Sequence, residues 1–298
     1  MEPLVSICCI TYNHAPYIKQ CIEGFLMQQT TFPIEILIHD DCSTDGTTEI
    51  IRNYEKKYPD LIFPLYEEEN QYQKGKASEI DFYNYKRARG KYIAYCEGDD
   101  YWTDPLKLQK QVDFMEANPD YSVCFHDFKK YIVDKNIYLP SNINFFIKKN
   151  NIIEGVTLGI SDVFSEWLTM PLTMVFRKAN LDLSISSKYK YYRDTHEIYH
   201  LMKRGKCYLF AFTGGVSHRH NGGVYASLNK QECINIQLAI SAELYNVNKD
   251  RYTKEYYIIS LQEYLYSKPK SFKDKCVKAI ALFQLTYNLK KLIKNIFR

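Results

Sequence analysis

Glu97, Gly98, Asp99 and Asp100 place three carboxylates within four residues, directly after the apolar run Tyr92–Cys96. Two more acids, Asp40 and Asp41, follow a second apolar run, Ile34–Ile38. Carboxylates packed at a cleft raise one another's pKa unless a cation neutralises them. Oxygen-only ligand sets suit Mg2+ or Mn2+, which keep several waters and bind phosphate oxygens as well. The pattern therefore points to a metal-bridged diphosphate. The bland alternative is a pair of solvated turns, and five carboxylates after two strands weigh against it. The chain has no G-x-x-x-x-G-K-[ST] loop and no G-x-G-x-x-G after its first strand. Any phosphates would then be held by the metal rather than by a glycine cradle.

Two other patterns compete for a metal. His196-Glu197-Ile198-Tyr199-His200 matches H-E-x-x-H, the zinc-protease signature, within a helical stretch. The extended form with a glycine and a third histidine does not fit the residues that follow, so His218 or His220 would have to be recruited. The alternative is a helix that carries two histidines by chance. Asp41 to Gly46 imitates the start of a calcium loop, but its twelfth position is Arg52, where a bidentate Glu is required. The Asp and Ser groups there fit better as caps of the next helix.

The elements that must position these residues alternate along the first hundred positions. Leu4–Ile10, Ile34–Ile38, Leu61–Tyr66 and Lys91–Cys96 read as buried strands. Between them, Ile18, Cys21, Ile22, Phe25 and Leu26 mark one helical face, Ile50, Ile51 and Tyr54 a second, and Ser78–Arg89 a third. Such spacing indicates βαβ units and a parallel sheet. In open sheets of this kind ligands bind at the carboxyl ends of the strands. Thr11, Tyr12 and Asn13, then Asp40 and Asp41, then Glu97, Asp99 and Asp100 would converge there. Thr103-Asp104-Pro105 predicts a helix start, with an end near Ala117 before Asn118-Pro119. Residues 130–225 read as irregular, with short strands near Leu172–Phe176 and Cys207–Phe212 and a helix over Asp194–Lys203. Residues 231–265 return to helical patterning.

The chain has 298 residues, enough for one large α/β domain or two smaller ones. Nine scattered cysteines, none in a C-x-x-C pair, favour neither a zinc ribbon nor a disulfide framework and fit a reducing compartment. The start of the chain lacks the basic region of a signal peptide, and no stretch approaches the ~18 apolar residues of a spanning helix. The expectation is a cytoplasmic protein. Residues 268–298 hold nine Lys/Arg and one Asp; a tail balance of +8 within a net +4 leaves the first 267 residues at −4. Leu282, Leu285, Leu289, Leu292, Ile293 and Ile296 share one helical face in this tail. A basic amphipathic helix of that kind can lie peripherally on the inner face of the cell membrane through residues 270–298. The alternative is a helix docked on the domain or at a homodimer seam. No nucleic-acid module is recognisable.

The segments PLVSICCITYNHAPYIKQCIEGFLMQQ, IEILIHDDCSTDGTTEII and ARGKYIAYCEGDDYWTDPLKLQKQVDFME together resemble the family 2 glycosyltransferases. The likeness is close from residue 3 to about 128 and weaker to about 227. It implies an α/β, GT-A (Rossmann-like), mostly parallel sheet flanked by helices, with a C-terminal helical extension. The implied layout is a nucleotide-sugar-binding half at 1–128, an acceptor-binding half of the same domain at 129–227, and an extension at 228–298. By the same resemblance Thr11, Tyr12, Asn13, Asp41, Glu97, Asp99 and Asp100 would bind the nucleotide sugar. Asp41 would contact the base, and Glu97-Gly98-Asp99 stands at the Asp-x-Asp position with Glu as its first residue. Asp99 and His220 would hold Mn2+ or Mg2+, and Asp194 would be the catalytic base, preceded here by Arg193. The implied reaction is inverting hexosyl or N-acetylhexosaminyl transfer from a nucleotide-diphosphate donor, UDP favoured, to a hydroxyl of a saccharide or lipid-linked saccharide. Capsule, O-antigen or exopolysaccharide synthesis would be the setting. A nucleotidyltransferase, the zinc protease and an inactive nucleotide-sugar-binding module are the competing readings.

Overall fold

The computed structural model describes residues 2–76, 80–223 and 228–267. β1 (Val5–Thr11), β2 (Ile34–Asp40), β3 (Ile62–Tyr66) and β4 (Tyr92–Glu97) form where the apolar runs predict them. They are parallel neighbours in the order β3-β2-β1-β4. All of β1 except Ile10 is buried, because helices cover both faces, and this is why it reads as a continuous apolar run rather than an alternation. α1 (Ile18–Leu26) buries Ile18, Cys21, Ile22 and Phe25, the face its periodicity predicts. α2 (Thr47–Lys57) follows β2, and its first turn is held by Asp45, whose carboxylate accepts the Thr47 N–H. α3 (Ile80–Arg87) answers to the helix expected at 78–89; it ends at Arg87, two residues early, and residues 78 and 79 lie outside the described residues. It is tied to β1 where Asn84 Nδ2 donates to the Cys9 carbonyl at 2.7 Å.

After β4 the chain departs from expectation. Pro105 does not open the next helix. Tyr101–Trp102 form a short strand, β5, and α4 runs Lys107–Ala117. Thr103 N–H is held by the Gly214 carbonyl and Leu106 N–H by Asp104 Oδ1, which delays the first turn.

The region read as irregular holds most of the sheet's second half. β6 (Tyr121–Ile132) is twelve residues long, and Ser122–Phe128 are all buried. β7 (Ile137–Pro140) pairs antiparallel with β6, α5 spans Asn142–Lys149, β8 Gly155–Leu158, α6 Ile160–Glu166 and β9 Val175–Arg177. α7 covers Asp194–Arg204, and β10 (Lys206–Arg219) pairs in parallel with β6 through two irregularities around Thr213. Among the described residues the sheet has ten strands, ordered β3-β2-β1-β4-β9-β6-β10-β5 with β7 on β6 and β8 on β10. It is an α/β, mixed sheet whose long ladders are parallel. The division expected at 128/129 falls inside β6.

Residues 1–220 form one unit, and a second begins at Asn221. In the second, the helical stretch expected at 231–265 is two helices, α8 (Lys230–Asn248) and α9 (Arg251–Tyr266). Lys249 at φ 53° ends the first, and Asp250 caps the second by accepting the Thr253 N–H. The tail helix expected within 270–298 lies outside the described residues. Among those residues no helix is long and apolar enough to cross a membrane.

Candidate active site

Parallel pairing brings the ends of β1, β2 and β4 together, with Thr11 beside Asp40 and Ile10 beside Glu97. Asp41 N–H donates to the Thr11 carbonyl at 3.0 Å and Gly98 N–H to the Ile10 carbonyl at 2.8 Å. A Cβ on Gly98 would lie 2.6 Å from Thr11 Oγ1, so only glycine lets the loop after β4 close on β1. This close approach gathers Glu97, Asp99 and Asp100, with one carboxylate oxygen from each lying within 4.8 Å of the others. The fourth side of the cluster comes from β10. His220 Nε2–H donates to Asp99 Oδ2 at 3.0 Å, His218 Nδ1–H donates to the Asp99 carbonyl at 2.5 Å, and His218 N–H donates to Asp100 Oδ1 at 2.9 Å. Tyr17 stacks against both histidines, with ring centroids 4.9 and 4.6 Å away.

The three carboxylates are not electrostatically alike. Burial drives Glu97 well above the ordinary carboxylate range, helped by the charges of Asp99, Asp100, Asp81 and Asp194. Asp100 is raised by burial and by Asp99, against the opposing pull of the His218 N–H. Burial also pushes Asp99 up, but the His220 hydrogen bond and the charges of His14 and His220 outweigh it and hold Asp99 below its ordinary value. Burial lowers His14 and His218, against the opposing pull of Asp99. Asp99 Oδ1 is buried with no hydrogen-bond partner. An orphaned buried carboxylate oxygen in an all-oxygen cluster fits Mg2+ or Mn2+.

The other expected residues have distinct places. Thr11 is buried with Oγ1 3.1 Å from His14 Nδ1, and Tyr12, the first residue after β1, is exposed. Asn13 adopts φ 54°; its Oδ1 accepts Thr44 N–H and its own N–H reaches Ser43 Oγ, which locks the β1 end to the β2 end. Asp41 is buried, and its oxygens accept the main-chain N–H groups of Gln71 and Tyr72 at 2.7 and 3.0 Å. Its carboxylate fixes the segment after β3 rather than projecting freely into the crevice. Asp194 opens α7, and its Oδ1 accepts the Thr195 N–H at 2.8 Å. Burial raises its pKa, and its charge in turn raises Glu97, so the two lie in one electrostatic neighbourhood.

Sequence reasoning missed His14 and Asp81, and singled out Glu197 only as part of H-E-x-x-H. His14, the next residue after Thr11-Tyr12-Asn13, has Nε2 3.9 Å from Asp99 Oδ2. Asp81 on α3 accepts the Tyr95 hydroxyl at 2.7 Å, and burial raises it to about 6. Glu197 accepts the Tyr85 hydroxyl at 3.0 Å and is raised well above its ordinary value by burial. His14 was marked by its adjacency to Thr11-Tyr12-Asn13 and Glu197 by the H-E-x-x-H pattern, whereas Asp81 left no local signal.

The H-E-x-x-H reading loses its geometry. His196 Nδ1 accepts the Arg193 N–H, His200 Nε2 sits 2.7 Å from the Tyr189 hydroxyl, and Glu197 is engaged by Tyr85. The only group of three or more potential metal ligands among the described residues is Glu97, Asp99 and Asp100.

Residues 6–178, more than half of the chain, match the profile described as "Glycosyl transferase family 2". The chain belongs to glycosyl transferase family 2. The family member is 45% identical over 122 residues to an uncharacterized protein of Mycobacterium tuberculosis, Rv1520; the match covers 41% of this chain and 34% of that protein. The chain thus spans about a third of the length of that relative. It is 34% identical to the putative teichuronic acid biosynthesis glycosyltransferase TuaG of Bacillus subtilis, over 57% of this chain and 67% of that protein. It is also 34% identical to the UDP-Glc:alpha-D-GlcNAc-diphosphoundecaprenol beta-1,3-glucosyltransferase WfaP of Escherichia coli, over 48% of this chain and 54% of that protein. Two solved structures share its GT-A fold. TarS 1-349 of S. aureus in complex with UDP-GlcNAc has a TM-score of 0.66 at 17% identity, over 96% of this chain and 80% of that one. The mannosyltransferase PcManGT of Pyrobaculum calidifontis, with GDP-Man and Mn2+, has a TM-score of 0.61 at 15% identity, over 100% and 81%.

Proposed function

We propose that this chain transfers a hexosyl or N-acetylhexosaminyl group from a nucleotide-diphosphate donor, UDP favoured, to a hydroxyl of a saccharide or lipid-linked saccharide. The setting is synthesis of a surface polysaccharide. The observation that carries the reading is the gathering of Glu97, Asp99 and Asp100 around an unpartnered Asp99 oxygen, at the carboxyl ends of the parallel strands. The relatives support the substrate class: WfaP is named for UDP-Glc and a diphosphoundecaprenol acceptor, and TarS was crystallised with UDP-GlcNAc.

Asp99 is the principal ligand in this reading, with His220, Glu97 and Asp100 around it, and Thr11, Tyr12 and Asn13 line the nucleoside side. A bound Mn2+ or Mg2+ supplies positive charge against the departing diphosphate. Asp194 acts as general base. Its raised pKa brings it nearer the operating pH, where a base is most effective. It takes the proton from the acceptor hydroxyl as that oxygen bonds to the anomeric carbon. The bond from that carbon to the donor diphosphate breaks on the opposite face, so the configuration inverts. Asp194→Asn keeps the shape and the bond from Thr195 N–H but cannot accept the proton. Transfer is expected to fall by about 10²–10⁴-fold while UDP affinity, measured by calorimetry with Mn2+, stays within roughly threefold of wild type. Full turnover in the variant removes Asp194 from the chemistry.

A further inference from the structure

We propose that the face built from the β6–β7 hairpin and the outer side of α5 is a docking surface for an anionic lipid bilayer. Of the thirteen large apolar or aromatic side chains exposed among the described residues, five lie between Ile137 and Ile153, so the exposure is concentrated rather than scattered. Successive strand residues point to opposite faces, yet Ile137, Tyr138 and Leu139 are all exposed, at 41, 56 and 43%. Both faces of β7 are therefore open. β7 pairs with β6 alone among the described strands, which leaves it at an edge. Phe145, 62% exposed, stands on α5, whose Ile143 and Ile147 face inward.

Charge names the occupant. Residues 129–149 hold five lysines and one aspartate, a balance of +4, within a first 267 residues that total −4. Lys129, Lys135 and Lys148 are exposed, and Lys149 shares its charge with Glu166 at 3.3 Å. A basic rim around protruding apolar side chains on an otherwise acidic body suits anionic headgroups above an acyl boundary. A soluble acidic partner would account for the lysines but not for the projecting Ile137, Leu139 and Phe145.

The face is joined to the acidic crevice. Tyr138 and Tyr101 hydroxyls are 3.4 Å apart, the Tyr131 ring lies 4.7 Å from Tyr138 and 5.5 Å from His218, and His218 holds the Asp99 carbonyl. Seating the hairpin on a bilayer sets the crevice beside the headgroups. That benefit to a lipid-linked acceptor rests on the proposed function; the seating itself does not.

Flotation of the full chain with phosphatidylglycerol-containing vesicles, against pure phosphatidylcholine vesicles, tests the proposal. Wild type is expected to float with the anionic vesicles only. Ile137→Ser/Leu139→Ser/Phe145→Ser and, separately, Lys129→Glu/Lys135→Glu are each expected to lower the bound fraction at least about tenfold. Every position changed is exposed, and circular dichroism checks that the fold is kept. No flotation of wild type overturns the proposal. So does flotation that both variants retain while Lys290→Glu/Lys291→Glu/Lys294→Glu abolishes it, which would assign lipid contact to the tail. A change in sedimentation mass with no change in flotation overturns it in favour of self-association. UDP binding in the same preparations reports on the sugar-transfer reading independently.

Discussion

Asp81 illustrates what the fold does to a single carboxyl. It is buried, and although the Tyr95 hydroxyl stabilises its charged form, burial and the charge of Asp194 raise it from 3.8 to about 6. The folded state therefore binds this proton more tightly than the unfolded state. Its stabilising effect is complete at acid pH and is lost as pH rises towards about 6. The gap corresponds to about 3 kcal/mol. Asp81→Asn keeps an acceptor for Tyr95 and removes the charge. Urea unfolding is expected to show it more stable than wild type by up to about 3 kcal/mol at pH 7.5, with the difference vanishing near pH 4. An equal midpoint at both pH values would mean that Asp81 is not held in its neutral form. At this scale the sequence revealed Glu97, Asp99 and Asp100, because three acids in four residues after a strand form a local pattern. It did not reveal Asp81, and it offered Glu197 only as part of H-E-x-x-H. Tyr85 and Glu197 are 112 positions apart, and no local pattern couples them.

β6 shows the same limit for elements. β1 to β4 were legible because each carries a run of mostly apolar residues. β6 is buried just as deeply but contains Ser122, His126 and Asp127, so neither an alternation nor an apolar run marks it. Its polar side chains are tolerated because they are satisfied at long range. Ser122 donates to the Leu201 carbonyl, and Asp127 accepts from Ser141 and Asn144 at the start of α5 and from Thr213 on β10. Asp127 thus ties β6 to the start of α5 and to β10. Asp127→Ala strands these donors, and a loss of about 2–4 kcal/mol is expected, read as a lower urea midpoint at unchanged m-value. A loss below about 0.5 kcal/mol would show that the web adds little. β10 was legible only over its first half. The expected strand stops at Phe212, yet it runs on to Arg219 through Gly214-Gly215; a Cβ at Gly214 would strike the His126 ring, so glycine there answers to packing.

For the whole molecule, the crowded acids make ligand binding a matter of stability. Glu97 and Asp100 resist ionisation while Asp99 keeps its charge, so under the proposed function a dication bound there would offset repulsion that the folded chain carries alone. UDP with Mn2+ at about a hundred times its Kd is expected to add about 2.7 kcal/mol, a rise in Tm of about 4 °C for a chain of 298 residues. UDP alone should give much less, and in Asp99→Ala the joint shift should fall below about 2 °C by differential scanning fluorimetry. An undiminished shift in that variant would place the diphosphate elsewhere. The sequence by itself determined the order of β1 to α3 and the ends of β1, β2 and β4 as the place where the candidate side chains gather, since a buried strand and an amphipathic helix each write their period into a few adjacent residues. Tertiary structure decided the rest: that Gly98 closes on Thr11, that Asp41 turns towards Gln71 and Tyr72, and that His218 and His220 arrive from β10 to hold Asp99. The physical reason is range. His220 meets Asp99 across 121 positions of sequence, a contact set by how sheets pack and not by any local period.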